Sequence, residues 1–244
     1  MRRAENKVVV LSGGIDAIAD ATIRRFASVG ATITLLEPNE DKSREYQKNL
    51  KREKIYVDVY NVNITEFNRV ESVASQIYSQ YKHIDILINN PNTIRLNSGG
   101  SENWQLLIEI SLSGLLNCIK AFSYYMIKGS WGRIINTTAL LGLYGDINQA
   151  HYISVKNGVL GISKIWTSEL GKYGITVNTV APGYIENDYL TQSSQAVLKS
   201  IKEKIPLQKI GKPEDVAEVY LFLSSDKAGY ISGNVINVDG GYML

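Results

Sequence analysis

The chain has 244 residues, 44% of them hydrophobic, which is enough to bury the core of one α/β domain. Its formal net charge of +2 is too small to indicate nucleic acid or an anionic membrane surface as a partner, so a small-molecule partner is expected. No apolar run reaches the about 18 residues of a membrane-spanning helix. The single Cys118 cannot form an internal disulfide and fits a reducing compartment, so we expect a cytoplasmic location.

Seven short apolar runs alternate with helical patterns along the chain. The runs cover residues 7–11, 32–36, 55–62, 84–88, 133–137, 175–180 and 234–238. The clearest helix follows the first run, because apolar residues from Ile15 to Phe26 recur at helical spacing and Gly30 ends the pattern. Further helical patterns cover about 66–81, 102–127, 152–172 and 213–223. This alternation predicts one domain over residues 1–244 with a mostly parallel, doubly wound sheet.

The stretch from about 184 to 205 has the least regular apolar pattern of the chain. A Gly-Lys-Pro sequence at 211–213, which is typical of a turn, follows this stretch. We therefore expect a mobile substrate flap near residues 184–212.

Tyr152 and Lys156 stand four positions apart in the stretch HYISVK. On a helix this spacing puts both side chains on one face, where the ammonium can lower the pKa of the phenol from its usual value of about 10. The same spacing arises by chance in a chain with 15 tyrosines, so the surrounding motifs decide its meaning.

The order of motifs resembles the short-chain dehydrogenase/reductase family. The first strand leads into a glycine turn and a helix, LINN ends the fourth strand, Tyr-x-x-x-Lys follows, and VAPG comes after the sixth strand. The resemblance covers nearly the whole chain, and the end, from GKPEDVAEV to NVDGGYML, is similar to the β-ketoacyl-acyl-carrier-protein reductase branch. It implies a Rossmann-type sheet, a nicotinamide cofactor across the carboxyl ends of the strands, and a homotetramer or dimer.

The glycine turn departs from the family pattern TGxxxGIG. Ser12 and Gly13 keep its first two positions, but Ala17 and Ala19 replace the second and third glycines. Asp16 stands where NADPH-using relatives often have an arginine, and a carboxylate repels nearby phosphates. An acidic residue is equally typical of the first turn of any helix, so both interpretations stay open.

The resemblance implies further cofactor contacts. Glu37 ends the second strand where NAD-using relatives hold the adenosine ribose, and no basic residue follows at once, so NAD(H) is expected over NADP(H). Pro91 and Asn92 replace a family Ala-Gly, which predicts a reshaped loop beside the adenosine. The complete expected set is Ser12, Gly13, Asp16, Ile18, Glu37, Asn63, Asn89, Tyr152, Lys156, Pro182, Gly183, Ile185 and Asn187.

The resemblance also assigns catalytic roles, and two of the four roles lack the family side chain. Tyr152 matches the proton donor, and Lys156 matches the lysine that supports it and holds the nicotinamide ribose. Ala139 replaces the serine that polarises the substrate, and Ser111 replaces the asparagine that holds a water. Thr138 can supply the missing hydroxyl only if the strand ends or bulges there, since adjacent strand residues point to opposite faces.

Two functions therefore stay open. The first is an oxidoreductase with impaired turnover that moves hydride between a nicotinamide cofactor and a small carbonyl or alcohol, with Tyr152, Lys156, Ser111 and Thr138 as the catalytic set. The second is a non-catalytic binding or assembly subunit, in a homo-oligomer or in a hetero-oligomer with an active paralogue. No metal site is expected, because Cys and His are few and dispersed, and we expect His83 and His151 to face solvent.

Overall fold

The computed structural model describes residues 6–91, 104–140 and 150–242. Within these ranges seven parallel strands form one sheet in the order β3-β2-β1-β4-β5-β6-β7. The strands are β1 (Val8–Ser12), β2 (Thr32–Leu36), β3 (Val57–Tyr60), β4 (Ile86–Asn89), β5 (Gly132–Thr137), β6 (Ile175–Pro182) and β7 (Val235–Val238). The prediction of a Rossmann-type seven-stranded parallel sheet is confirmed.

Helices cover both faces of this sheet. The helices are α1 (Ala17–Ala27), α2 (Glu40–Arg52), α3 (Phe67–Tyr81), α4 (Trp104–Ile108), α5 (Leu115–Gly129), α6 (Ala150–Leu170), α7 (Asp188–Thr191), α8 (Gln195–Lys204) and α9 (Pro213–Leu223). Alternate residues of β1 serve two cores, because successive strand side chains point to opposite faces. Val8 and Val10 pack with α3, α5 and α6, whereas Val9 and Leu11 pack with α1, α2 and α9.

The helix predicted over 102–127 is found as a continuous helical stretch over Trp104–Gly129 that is not uniformly α-helical. A π-helical turn, Glu109–Gly114, joins α4 to α5. The stretch Trp104–Gly129 is long and apolar enough to cross a membrane, yet half of its most apolar window is buried inside the protein. α5 packs against α3 and against β4 and β5, so this stretch belongs to the core on one face of the sheet.

The segment near 184–212 is more ordered than its sequence pattern suggests. It contains α7 and α8, and Ser194 caps α8 by accepting a hydrogen bond from the backbone of Val197. The two ends of the segment are tied together, because Ile185 and Gly211 form a parallel bridge. Short helices therefore form in this segment although its apolar pattern is the least regular of the chain.

Candidate active site

A cavity of about 580 Å³ opens at the carboxyl edge of the sheet, where the first βα turn meets the segment after β6. We call it the cofactor groove. Its lining residues are Gly13, Gly14, Ile15, Asp16, Ala17, Ile18, Asp20, Glu37, Pro38, Lys42, Ile185, Glu186, Asn187 and Asp188. The groove therefore brings together the glycine turn, the end of β2, the start of α2 and the beginning of the proposed flap.

The glycine turn tolerates the two alanines that replace family glycines. Gly13 has a φ of +109°, and a Cβ there would lie 2.0 Å from the carbonyl oxygen of Asn90, so only glycine fits. Ala19 is fully buried in the core beneath α1, which shows that the helix accommodates its methyl group. Ala17 lines the groove, so its methyl group narrows the space beside the turn.

Asp16 caps the start of α1. Its Oδ1 accepts a hydrogen bond from the backbone N–H of Ala19 at 2.7 Å, and the side-chain amide of Asn90 lies 3.2 Å from Oδ2. Burial raises the pKa of this carboxyl, and these hydrogen bonds oppose the rise. The carboxylate thus caps α1 and also forms part of the groove wall, so the structure is compatible with both interpretations.

Glu37 lies beneath the glycine turn and is only 3% exposed. Its Oε2 accepts the backbone N–H of Ile15, and its Oε1 accepts the backbone N–H of Asn39, both at 2.9 Å. Lys42 reaches the same place from α2, with its Nζ 2.7 Å from the carbonyl oxygen of Ile15 and 3.9 Å from Oε2 of Glu37. No basic residue follows Glu37 at once in the sequence, but the fold brings Lys42 beside it from α2.

Ser12 and Asn89 belong to a buried network that crosses the strand ends. The hydroxyl of Ser12 donates to Oδ1 of Asn89 at 2.7 Å, and the amide of Asn89 donates to Oδ1 of Asn136 at 2.8 Å. The amide of Asn136 then donates to the hydroxyl of Ser163 on α6 at 2.9 Å. These hydrogen bonds fasten β1, β4 and β5 to α6 and use the hydroxyl proton of Ser12 inside the protein.

The other expected cofactor residues divide into two groups. Ile185 and Asn187 line the groove, and Oδ1 of Asn187 accepts a backbone N–H from the first turn of α7. Asn63 is an exposed turn residue, and neither it nor Pro182 nor Gly183 is among the groove residues. Asn92, the second residue of the altered Pro-Asn pair, lies outside the described residues.

Tyr152 and Lys156 lie together near the start of α6. The Nζ of Lys156 is 5.4 Å from the centroid of the Tyr152 ring. Burial raises the pKa of Tyr152 to about 12 and lowers the pKa of Lys156 to about 8, while the charge of Asp16 opposes the lowering at the lysine. The pKa of Tyr152 is therefore raised by burial, opposite in direction to the lowering expected from Lys156.

Thr138 directly follows the end of β5, as the idea of a replacement hydroxyl requires. However, its hydroxyl donates to the carbonyl oxygen of Lys156 at 2.8 Å, so its proton is already used inside the protein. Thr138 thus anchors α6 rather than offering a donor to a substrate. Ala139, next to it, is partly exposed and carries no polar side-chain group.

Ser111 lies in the π-helical turn and is completely buried. Its hydroxyl makes no hydrogen bond to any protein group among the described residues. A buried hydroxyl without a partner is costly and is commonly satisfied by an ordered water, and π-helical turns often occur at functional sites. The turn thus places one unpaired polar group at the position of the family asparagine.

Three residues considered from the sequence lie outside this arrangement. His83 is exposed, as expected, and its Nδ1 lies 2.6 Å from Oδ2 of Asp85. His151 is exposed and packs edge-on against Trp104, with the ring centroids 5.0 Å apart. Cys118 is buried, and burial raises the pKa of its thiol to about 12. Among the described residues no cluster of three or more Cys, His, Asp or Glu could hold a metal.

The sequence analysis missed Lys42, Asn136 and Ser163. Asn136 carried a detectable signal, since it is a polar residue within the apolar run of β5. No sequence pattern identifies Ser163 or Lys42, because polar residues on helices usually face solvent and the contacts of these two depend on how α6 and α2 pack.

Comparisons with known proteins agree with this architecture. A family model described as enoyl-(acyl carrier protein) reductase matches residues 13–243. The 3-oxoacyl-(acyl-carrier-protein) reductase FabG of Thermotoga maritima is 35% identical over 245 residues, covering 99% of this chain and 100% of the relative. FabG of Aquifex aeolicus is 32% identical, covering 98% of each chain.

Solved structures show the same fold at lower identity. A short-chain type dehydrogenase/reductase from Mycobacterium ulcerans superposes with a TM-score of 0.89 at 22% identity, covering 100% of this chain and 92% of that one. A gluconate 5-dehydrogenase from Burkholderia cenocepacia, solved with NADP and tartrate, gives 0.86 at 23% identity, covering 98% and 96%. An NAD⁺-bound xylitol dehydrogenase also gives 0.86, at 22% identity, covering 98% and 100%. From these matches and the fold, the chain belongs to the short-chain dehydrogenase/reductase family of oxidoreductases.

Proposed function

We propose that this protein transfers hydride between a nicotinamide cofactor and a carbonyl or alcohol group of a small molecule, with slower turnover than relatives that carry all four catalytic side chains. The observation that carries the proposal is the pair Tyr152 and Lys156 on one helix, with Lys156 close enough to Asp16 of the cofactor groove for that carboxylate to shift its pKa. The 3-oxoacyl-(acyl-carrier-protein) reductases among the relatives support a carbonyl substrate.

The groove has the features that a dinucleotide needs. Gly13 has no Cβ and so lets the turn pass close to the backbone of Asn90, and the N-terminus of α1 faces the cavity. Gly13 and Ile18 of the turn and Ile185 and Asn187 after β6 would hold the cofactor, which supplies or accepts the hydride when bound.

Proton transfer is the part of the reaction that the chain itself provides. Because the pKa of Tyr152 is about 12, its phenol stays protonated at neutral pH and can donate to an alkoxide oxygen. Lys156, with a pKa of about 8, carries a positive charge below that pH and stabilises the negative charge left on the phenol. Ser111 would hold a water near this pair. Thr138, a positioning residue, fixes the backbone of Lys156.

For the cofactor we propose NAD(H) in preference to NADP(H). Glu37 is buried at the end of β2, and its carboxylate would repel a 2′-phosphate. Lys42, the single basic residue among the described groove residues, is already bonded to the carbonyl oxygen of Ile15 and lies beside Glu37. Among the structural neighbours one was solved with NADP and another with NAD⁺, so the preference rests on Glu37.

A non-catalytic binding or assembly subunit is the second candidate. Ala139 in place of the serine and the acidic lining of the groove favour it, since both oppose efficient turnover. Under either function we propose that the chain assembles into a homotetramer or dimer, or into a hetero-oligomer with a paralogue. Two exposed apolar side chains support this proposal: Ile165 on α6 is 61% exposed, and Tyr124 on α5 is 56% exposed. We further propose that the chain works in the cytoplasm and that the segment near 184–212 serves as the substrate flap.

Calorimetric titration with NADH and NADPH at pH 6.0, followed by an assay on a generic ketone, tests the proposal. We expect micromolar binding of NADH, weaker binding of NADPH, and slow reduction of the ketone. The Tyr152→Phe variant should keep the NADH affinity and lose turnover by about 10²- to 10⁴-fold, because it removes the proton donor alone. Failure to bind either dinucleotide would sink the oxidoreductase proposal and favour the assembly subunit.

A further inference from the structure

We propose that Asp16 is a built-in competitor for the phosphates of the cofactor, so that a dinucleotide binds when this carboxylate is protonated and is rejected when it is ionised. The inference rests on the proposed function and concerns the regulation of the same groove. It makes cofactor binding depend on pH in a window set by one side chain.

The geometry of the turn is the first support. α1 has eleven residues, and the backbone N–H groups at the start of such a helix form a natural binding site for phosphate. Here the Asp16 carboxylate accepts the N–H of Ala19 at 2.7 Å and lies 3.2 Å from the amide of Asn90. Part of the anion-binding capacity of the helix start is therefore used by an anion of the protein itself.

The charges around the groove also support repulsion between the protein and the phosphates of a cofactor. Five of its described lining residues are acidic, and Lys42 is the only basic one. The acidic residues are Asp16, Asp20, Glu37, Glu186 and Asp188. A pyrophosphate would add two further negative charges, and Asp16 is the acidic residue that lies at the helix start itself. Protonation of Asp16 removes the negative charge that would lie nearest to the phosphates. It also converts a carboxylate, which only accepts hydrogen bonds, into a carboxyl group that can donate one to a phosphate oxygen.

Several groups act on the titration of Asp16. Burial raises its pKa above the usual value of about 3.9, and the N–H of Ala19, the amide of Asn90 and the charge of Lys42 oppose the rise. The titratable groups around it are Lys42 and Tyr46 of α2, Lys156 of α6, Tyr220 of α9, Asp20 of α1 and Glu37 after β2. Lys156 loses its charge near pH 8, so it stays mostly charged below pH 7.5.

The sign of the effect follows directly. As the pH falls toward the raised pKa of Asp16, the neutral form becomes more populated and the affinity for a dinucleotide increases. Where only the neutral form binds, the apparent Kd rises by about tenfold for each pH unit above that pKa, because the competent fraction falls by the same factor.

The test is the Kd for NADH measured by calorimetry from pH 5.0 to pH 7.5 in the wild type and in Asp16→Asn. Asparagine caps a helix as well as aspartate does, so the turn is retained while the charge is removed. We expect the wild-type Kd to increase at least tenfold across this range, and the variant to bind with a nearly constant Kd that is at least tenfold lower at pH 7.5. Asp16→Ser, a second capping residue, should behave in the same way, and circular dichroism checks that each variant is folded.

Glu186→Gln is the matched control, since it removes one negative charge from an exposed position of the same groove. It should keep the wild-type pH dependence. Wild-type binding that does not change with pH and is matched by Asp16→Asn would overturn the inference while leaving the proposed function standing. Absence of NADH binding by the wild type and by both Asp16 variants at every pH would overturn both.

Discussion

The cofactor groove and the catalytic end of α6 depart from the family pattern in opposite directions. The groove has gained charge, and its added carboxylate at Asp16 is bonded to the backbone and to Asn90. The catalytic end has lost polar groups, since Ala139 has no hydroxyl and that of Ser111 has no partner among the described residues. The gained carboxylate is thus satisfied by the groups around it, whereas the lost serine hydroxyl is not replaced by the neighbouring Thr138.

Replacing the missing serine hydroxyl at position 139 is expected to have the largest effect on the rate. Ala139→Ser restores a hydroxyl where the family serine stands, and we expect the rate of ketone reduction to increase by about 10²-fold, because one preorganised donor to a developing alkoxide is typically worth about 10² to 10³ in rate. The measurement is kcat at saturating NADH. The dinucleotide Kd should not change, since Ala139 is not among the groove residues.

Thr138→Ser provides the comparison for this gain. It keeps a hydroxyl one residue away, where the wild-type hydroxyl already donates to Lys156, so the rate should stay close to that of the wild type. An Ala139→Ser rate that rises less than tenfold would argue that the missing serine does not limit the reaction.

The charge of Lys156 gives the next largest effect. Burial lowers its pKa to about 8, so the ammonium is present below pH 8 and is lost above it. With saturating cofactor, reduction should therefore slow by about tenfold for each pH unit above 8, provided that only the charged form of Lys156 supports Tyr152. A pH profile of kcat between 6.5 and 9.5 measures this, and a flat profile would show that the lysine charge is dispensable. Saturating cofactor keeps any effect of Asp16 on binding out of this profile, so the two regions can be tested separately in one protein.

Much of the fold was predictable because it depends on local patterns. The apolar run at 32–36 has the same bounds as β2, and the pattern over 213–223 has the same bounds as α9. The helix α2 was missed because only Ser43 and Leu50 of its thirteen residues are buried, which leaves a weak apolar pattern. The signal that could have found it is Asn39, whose side chain caps its first turn.

The site was predictable as a set of positions but not as a set of contacts. The spacing of Tyr152 and Lys156 placed them together correctly, since helical periodicity fixes their relation. The direction of the Tyr152 pKa shift was not predictable, because burial depends on how α6 packs on the sheet. Likewise, the sequence does not reveal that Lys42 reaches Glu37 or that the hydroxyl of Thr138 is already used, since both contacts join separate elements.

The smallest expected effect is on stability. It comes from two buried threonine hydroxyls, one beside the catalytic end of α6 and one beside the cofactor groove. Thr138 donates to the carbonyl oxygen of Lys156, 18 residues away on another element, whereas Thr22 donates to the carbonyl oxygen of Ile18 within α1. Thr138→Val should lower the free energy of unfolding by about 1 kcal/mol, the usual net value of one buried hydrogen bond. Thr22→Val should change it by only a few tenths of a kcal/mol, since a bond to a carbonyl four residues back is local and adds little to helix stability. Urea denaturation followed by circular dichroism measures both.

The Thr138 variant also separates a positioning role from a purely structural one. If its hydroxyl only stabilises the fold, Thr138→Val should leave the pH profile of kcat unchanged. If it holds the Lys156 backbone so that the ammonium faces Tyr152, the fall in rate above pH 8 should shift or weaken, because the lysine then sits in a different environment. Thr138→Val and Thr22→Val are expected to differ in their effect on the free energy of unfolding. Equal losses would contradict this expectation, since they would show that the hydrogen bond from Thr138 to α6 stabilises the fold no more than one within a helix.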